Sequence, residues 1–170
     1  MTARKVMLLG EMGVGKTSLV RRLVRDEFKA NYAATIGVDL YPWKVTDTGA
    51  GAARTLDMVI WDTDGQRGAD IVDDWYCRGA AGALAIADAT RPKTLELMVA
   101  FARAFTLRMP SAPCLLVVNK RDLVANPDTI KLPAGADVFD APVVWTSAKN
   151  GSNVRETFAS LAAMILRRGV

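Results

Sequence analysis

Residues 10–18 read Gly-Glu-Met-Gly-Val-Gly-Lys-Thr-Ser. An apolar run at 6–9 leads into them, and a helix-patterned segment at 18–25 leads away. Strand, glycine-rich turn, Lys, Thr, helix is the context of a phosphate-binding loop. Gly10 and Gly15 permit backbone angles and close approaches that a Cβ would block. Successive N–H groups then point inward at phosphate oxygens, aided by the positive end of the next helix. Lys16 places a point charge on the outer phosphates, and Thr17 offers a hydroxyl to Mg²⁺. The plainer alternative is an ordinary glycine-rich βα turn, which has no need of the terminal Lys-Thr pair.

The chain is 170 residues long, the size of one domain spanning 1–170 with a real core. Its hydrophobic fraction of 51% and charged fraction of 24% are those of an ordinary globular protein. It holds no His, which excludes His-based catalysis and His-ligated metals. Cys77 and Cys114 do not form a metal-ligand spacing and read as reduced thiols of a cytoplasmic chain. No apolar run approaches a membrane span, and the first residues lack a signal-peptide pattern. The net charge of +4 is spread along the chain, apart from Arg21–Arg22 and Arg167–Arg168. Those pairs read as solvated helix faces, so nucleic acid is not an expected partner.

Beyond residue 25 the pattern alternates between strands and helices. Residues 26–37 have no period and read as a long loop. Apolar stretches at 38–46 and 56–61 flank a Gly/Ala-rich turn and predict a β-hairpin. Buried strands are predicted at 4–9, 81–87, 114–118 and 143–145. Pro92 opens a helix with an apolar stripe of Leu95, Leu97, Met98, Phe101, Ala102 and Phe105. A last helix, 152–168, carries Val154, Phe158, Leu161, Ala162, Ile165 and Leu166 on one face. Leu19, Val20, Leu23 and Val24 form the stripe of the first. Between 122 and 143, Pro127, Pro133, Gly135 and Pro142 break any long period, so a short helix or irregular segment is expected. Alternation of this kind implies a mostly parallel sheet covered on both faces. Four polar signatures, at Gly10, Asp62, Asn119 and Thr146, follow strands and converge on one sheet edge, where such folds bind ligands.

The ordered set resembles a Ras-like small GTPase, most closely the Rab branch, over essentially the whole chain. Residues 10–18 match the phosphate loop. Tyr32 to Asp39, with its run Thr-Ile-Gly-Val-Asp, matches the first switch. Trp61-Asp62-Thr63-Asp64-Gly65-Gln66 matches the opening of the second. Asn119-Lys120-Arg121-Asp122 matches the guanine motif, and Thr146-Ser147-Ala148-Lys149 the last base loop. The resemblance implies an α/β P-loop NTPase fold, a six-stranded mostly parallel sheet with one antiparallel edge strand and helices on both faces. It implies GTP and GDP as ligands and Mg²⁺ as cofactor. Nucleotide contacts fall to Gly13, Val14, Gly15, Lys16, Thr17, Ser18, Phe28, Thr35, Gly65, Asn119, Lys120, Asp122, Leu123, Ser147, Ala148 and Lys149. Thr17 and Thr35 become metal ligands, with Asp62 acting through water. Gln66 orients the attacking water and, with Lys16, carries catalysis. Asp122 can accept from the guanine N1–H and exocyclic amine, a pair that adenine does not offer.

Three positions depart from the family pattern. Met12 stands where Gly or a small polar residue is usual and would crowd Gln66, so slow hydrolysis is expected. Asp64 replaces an Ala and brings a carboxylate toward the phosphates. Arg67 replaces an acidic residue and can pair with Asp64 or Asp70. Leu40, Trp61 and Tyr76 align with the aromatic triad read by Rab effectors, with the first ring lost. Effectors, an exchange factor and an activating protein are the implied partners, through loops near 32–40 and 62–78, with the chain itself a monomer. The sequence ends Arg167-Arg168-Gly169-Val170 with no prenylatable Cys, so no lipid anchor is expected here. This fits an unlipidated, prokaryotic member or a chain whose tail has been removed. The rival reading is a nucleotide-binding scaffold with negligible turnover.

Overall fold

The computed structural model describes residues 3–30, 35, 37–47, 53–63, 74–139 and 142–169. Six strands among them form one sheet: β1 (Arg4–Leu9), β2 (Val38–Asp47), β3 (Arg54–Thr63), β4 (Ala80–Asp88), β5 (Cys114–Asn119) and β6 (Val144–Trp145). Their spatial order is β2-β3-β1-β4-β5-β6. β2 runs antiparallel to β3, and every other pairing is parallel. Pro42, which has no N–H to give, is tolerated because β2 is an edge strand.

Period-2 alternation divides the core into two layers. Val6 and Leu8 of β1 face one layer and Met7 and Leu9 the other. On the first side lie α1 (Lys16–Arg25) and α4 (Val154–Arg168), whose Leu19, Leu23, Phe158, Leu161 and Ile165 are buried. Tyr41, Trp43 and Val45 of β2 turn to that side, and Trp43 meets Phe158 edge-on, with ring centroids 6.1 Å apart. On the second side lies α3 (Pro92–Arg108). There the small Ala83, Ala85 and Ala87 of β4 receive the bulky Met98, Phe101 and Phe105. Phe105 and Phe158 are fully buried, each contributing about 1.5–3 kcal/mol. Val24, expected in the α1 stripe, is instead exposed. It follows Leu23 by 100° at the end of the helix, beyond the sheet's reach.

The segment after β5 contains only single 3₁₀ turns among its described residues, at Arg121–Leu123, Pro127–Thr129 and Ala136–Val138. The prolines account for this, since each lacks the N–H that a continuing helix requires. A four-residue helix, α2 (Asp74–Cys77), precedes β4. Cys77 and Cys114 are both free and buried, and burial pushes the Cys114 thiol up to about 12. No described helix is long and apolar enough to cross a membrane.

Candidate nucleotide and metal site

β1 ends at Leu9 and hands the chain to the glycine-rich turn. Gly10 has φ 150°, and a Cβ there would run into the Ile86 carbonyl of β4. Gly15 has φ 102° and caps α1, and a Cβ on it would collide with the Asn119 amide. The turn is therefore closed down onto two neighbouring strands in a way that only glycine allows. Lys16 lies across it, with Nζ donating to the Gly10 carbonyl at 2.8 Å and the Glu11 carbonyl at 3.1 Å. Its side chain is buried, so a cation is fixed at the loop by two of the loop's own carbonyls. Val14 is fully buried beneath the turn, while Gly13, Thr17 and Ser18 are half-buried along it.

A second cluster stands at the first turn of α1. Thr17 Oγ1 donates to Asp62 Oδ2 at 2.6 Å and lies 2.8 Å from Thr35 Oγ1. Asp62 is completely buried, and its Oδ1 has no hydrogen-bond partner among the described residues. Burial pushes its carboxyl up to about 6, although the Thr17 hydrogen bond and the Lys16 charge pull the other way. A buried carboxylate oxygen without a donor is costly. A hard divalent cation removes that cost. Two hydroxyls and one carboxylate are hard oxygen donors that would suit Mg²⁺.

The base side is built at the ends of β5 and β6. Asn119, buried, donates through Nδ2 to the Val14 carbonyl at 3.0 Å. Its Oδ1 accepts from Thr146 Oγ1 at 3.3 Å and the Ala148 N–H at 3.2 Å. One side chain thus ties the phosphate turn to both loops on this side. Ser147 Oγ donates to Asp122 Oδ1 at 2.6 Å and fixes that carboxylate. Lys120 adopts a left-handed φ of 64° and donates to Asp88 Oδ2 at 2.7 Å. Leu123 and Lys149 are exposed in these loops, and Phe28, beyond the end of α1, is exposed as well. The expected residues Gly65 and Gln66, with Asp64, Arg67, Asp70, Tyr32 and Ile36, lie outside the described residues.

The model of the Ras family matches residues 5–167. The chain is 35% identical to a GTP-binding protein, YPTM2, of Zea mays, over 96% of this chain and 80% of that one. It is 34% identical to the Ras-related protein Rab-1A of Dictyostelium discoideum, over 96% and 81%. Human Ras-related protein Rab-4B is also 34% identical, over 96% and 76%. The chain belongs to the Ras family, on its Rab branch.

In this Rab-like small GTPase the aromatic triad is only partly a surface. Leu40 is 55% exposed and pairs across the β2–β3 ladder with Trp61. Trp61 and Tyr76 are half-buried and rest on the α3-side core. Lys5 links the Trp61 ring to the backbone at Tyr76. Its ammonium sits 3.8 Å from the Trp61 ring centroid and donates to the Tyr76 and Arg78 carbonyls. Partial burial lowers the Lys5 pKa.

Four further residues shape the site and were not expected there: Lys5, Arg22, Asp88 and Arg91. Arg22 was read as solvated, yet its side chain is only 17% exposed because the guanidinium is spent on the base loop. Asp88 had a legible signal, a carboxylate closing an otherwise apolar strand at the sheet edge that binds ligands. Arg22 and Arg91 carried none, since the spacing of a long side chain does not reveal which loop it reaches.

Proposed function

We propose that this GTPase is a guanine-nucleotide switch that binds GTP and GDP with Mg²⁺ and hydrolyses GTP slowly. The observation that carries the reading is Asp62 Oδ1, a buried acceptor without a described donor beside Thr17 and Thr35. Two hydroxyls and a desolvated carboxylate assembled at the foot of a phosphate loop are the groups that would hold a hard cation there.

The rest follows from the chain's own groups. The N–H groups of residues 13–18 and the Lys16 ammonium take up phosphate charge, and do so without reorganising. Asp122, held by Ser147, accepts from the guanine N1–H and amine. The Ala148 N–H can be shared between Asn119 and the base oxygen, as three-centre bonds allow. Phe28 and Lys149 flank the ring, and Leu123 and Lys120 line its pocket. When bound, Mg²⁺ supplies neutralisation of the outer phosphates. Thr35 reaches it from the loop before β2, so its engagement depends on what occupies the site, which is how loss of a phosphate becomes a change of shape. Gln66 orients the attacking water, and the N–H of Gly65 meets the terminal phosphate. Effectors, an exchange factor and an activating protein engage a monomer through the loops near 32–40 and 62–78.

A second reading, a nucleotide-locked scaffold with negligible turnover, is favoured by Met12, a bulky residue 42% exposed on the phosphate turn. The test extracts the nucleotide carried by the purified protein and follows GTP loss in a single turnover with Mg²⁺. Bound GDP with slow decay supports the switch. Retained GTP without decay supports the scaffold, and binding of ADP as tightly as GDP overturns both.

A further inference from the structure

Arg91 occupies the N-cap of α3, a position where Ser, Thr, Asp or Asn is preferred and a cation is disfavoured by the helix dipole. It makes no capping bond. Its guanidinium turns back over the phosphate turn instead. Nη2 donates to the Met12 carbonyl at 2.9 Å, Nε donates to Asp88 Oδ2 at 3.0 Å, and Nη1 lies 3.7 Å from Glu11 Oε2. Asp88 is an anchor that cannot swing away. Its side chain is 2% exposed, and its Oδ1 is held by the Thr90 N–H and hydroxyl at 2.9 and 2.7 Å. The planar fork of Arg91 therefore spans a fixed carboxylate and one carbonyl of the turn.

That carbonyl belongs to the peptide whose other half is the Gly13 N–H. In a trans peptide the two bonds point to opposite sides. Holding the Met12 oxygen outward directs the Gly13 N–H inward, to the side on which a phosphate binds. A cation on the oxygen also polarises the peptide and makes that N–H a stronger donor. We propose that Arg91 is a positioning residue for the nucleotide's phosphates, acting through the Met12–Gly13 peptide that it clamps to Asp88. The inference rests on the nucleotide reading above and adds a residue to it. Because Lys120 shares Asp88 Oδ2, the same carboxylate braces the phosphate turn and the guanine motif together.

The test measures release of a fluorescent GDP analogue in Mg²⁺ and the ³¹P resonances of bound GDP, for wild type, Arg91→Ala and Arg91→Lys. Losing one charge-assisted bond to the turn should speed release about tenfold. Arg91→Ala should also move the β-phosphate resonance, a signature that a merely structural residue would leave in place. Arg91→Lys keeps the charge but not the fork and should fall between the two. Wild-type release rates and an unmoved β-phosphate line in Arg91→Ala overturn the inference alone. A wild-type protein that binds no GDP overturns it together with the nucleotide reading. If Arg91→Ala fails to fold, the Arg91→Lys comparison decides on the same two readouts.

Discussion

Arg22 Nε donates to the Ala148 carbonyl at 2.9 Å, which joins the middle of α1 to the last base loop. Its Nη2 donates to the Lys149 carbonyl at 2.7 Å, and its Nη1 closes the end of α1 on Asp26 at 2.9 Å. The helix that begins under the phosphates therefore also sets the loop under the base. Removing the fork leaves two carbonyls of that loop without their donor. Arg22→Ala should cost about 2 kcal/mol, the value of a charged hydrogen-bond cluster at a partly buried site. For a domain of this size that is a fall of roughly 4–8 °C in Tm. Arg22→Lys should recover only part of it, because an ammonium cannot reach both carbonyls and Asp26. Thermal unfolding of the three proteins, with and without GDP, checks this.

The acid limb of stability should depend on Asp88. Burial alone would raise its carboxyl, but the hydrogen bonds from Lys120 and Thr90 and the Lys120 charge outweigh that and hold it below its usual value. Arg91 faces the same oxygen. With the folded value depressed, the stabilisation is present above the unfolded carboxyl's value, near pH 4. It is lost as pH falls through the lower folded one. Asp88→Asn cannot titrate. The stability difference between wild type and Asp88→Asn should be constant from pH 7 to about 5 and shrink below about pH 4. Urea midpoints at a series of pH values measure it, and a difference that widens on acidification would refute it.

How much of this was legible in the sequence depends on the length of the side chain concerned. The strands at 4–9, 80–88 and 114–119 follow from the apolar runs at 6–9, 81–87 and 114–118, and the polar residues that end them marked the ligand edge. Asn119, Thr146 and Ser147 end or follow the adjacent strands β5 and β6, so order and spacing put them at one edge, whereas the bond from Asn119 past β4 to Val14 left no mark in the sequence. Lys5, Arg22 and Arg91 each bridge elements 70 or more residues apart in the chain. Helical spacing places Arg22 on the face away from the buried stripe, and only the packing of α1 beside the base loop turns that face into an interior. Val24 failed for the opposite reason, since the stripe it extends outruns the sheet that buries it.

Met12 is the side chain of the phosphate turn that leaves the loop for solvent. On the proposal that Gln66 orients the attacking water, a bulky residue at position 12 would crowd that step and any arginine that an activating protein inserts. Met12→Gly should raise the single-turnover hydrolysis rate about tenfold, a barrier change of roughly 1.4 kcal/mol. The gain should be larger still with an arginine-bearing partner present. An unchanged rate would show that Met12 does not limit hydrolysis.

Asp64 is a further departure from the family pattern, and the resemblance would bring its carboxylate toward the phosphates. At about 5 Å from a phosphate oxygen and an effective dielectric near 20, a carboxylate is repelled by roughly 3 kcal/mol. Only the terminal phosphate distinguishes GTP from GDP, so the penalty falls on GTP. Asp64→Ala should then tighten GTP about a hundredfold while leaving GDP nearly unchanged, as read by competitive titration in Mg²⁺. Arg67 offers the control. If it screens part of the Asp64 charge in the wild type, Arg67→Ala should weaken GTP further, and Asp64→Ala in that background should reverse the loss. Equal tightening of both nucleotides by Asp64→Ala would mean that the carboxylate acts on the fold of the loop rather than on the phosphate's charge.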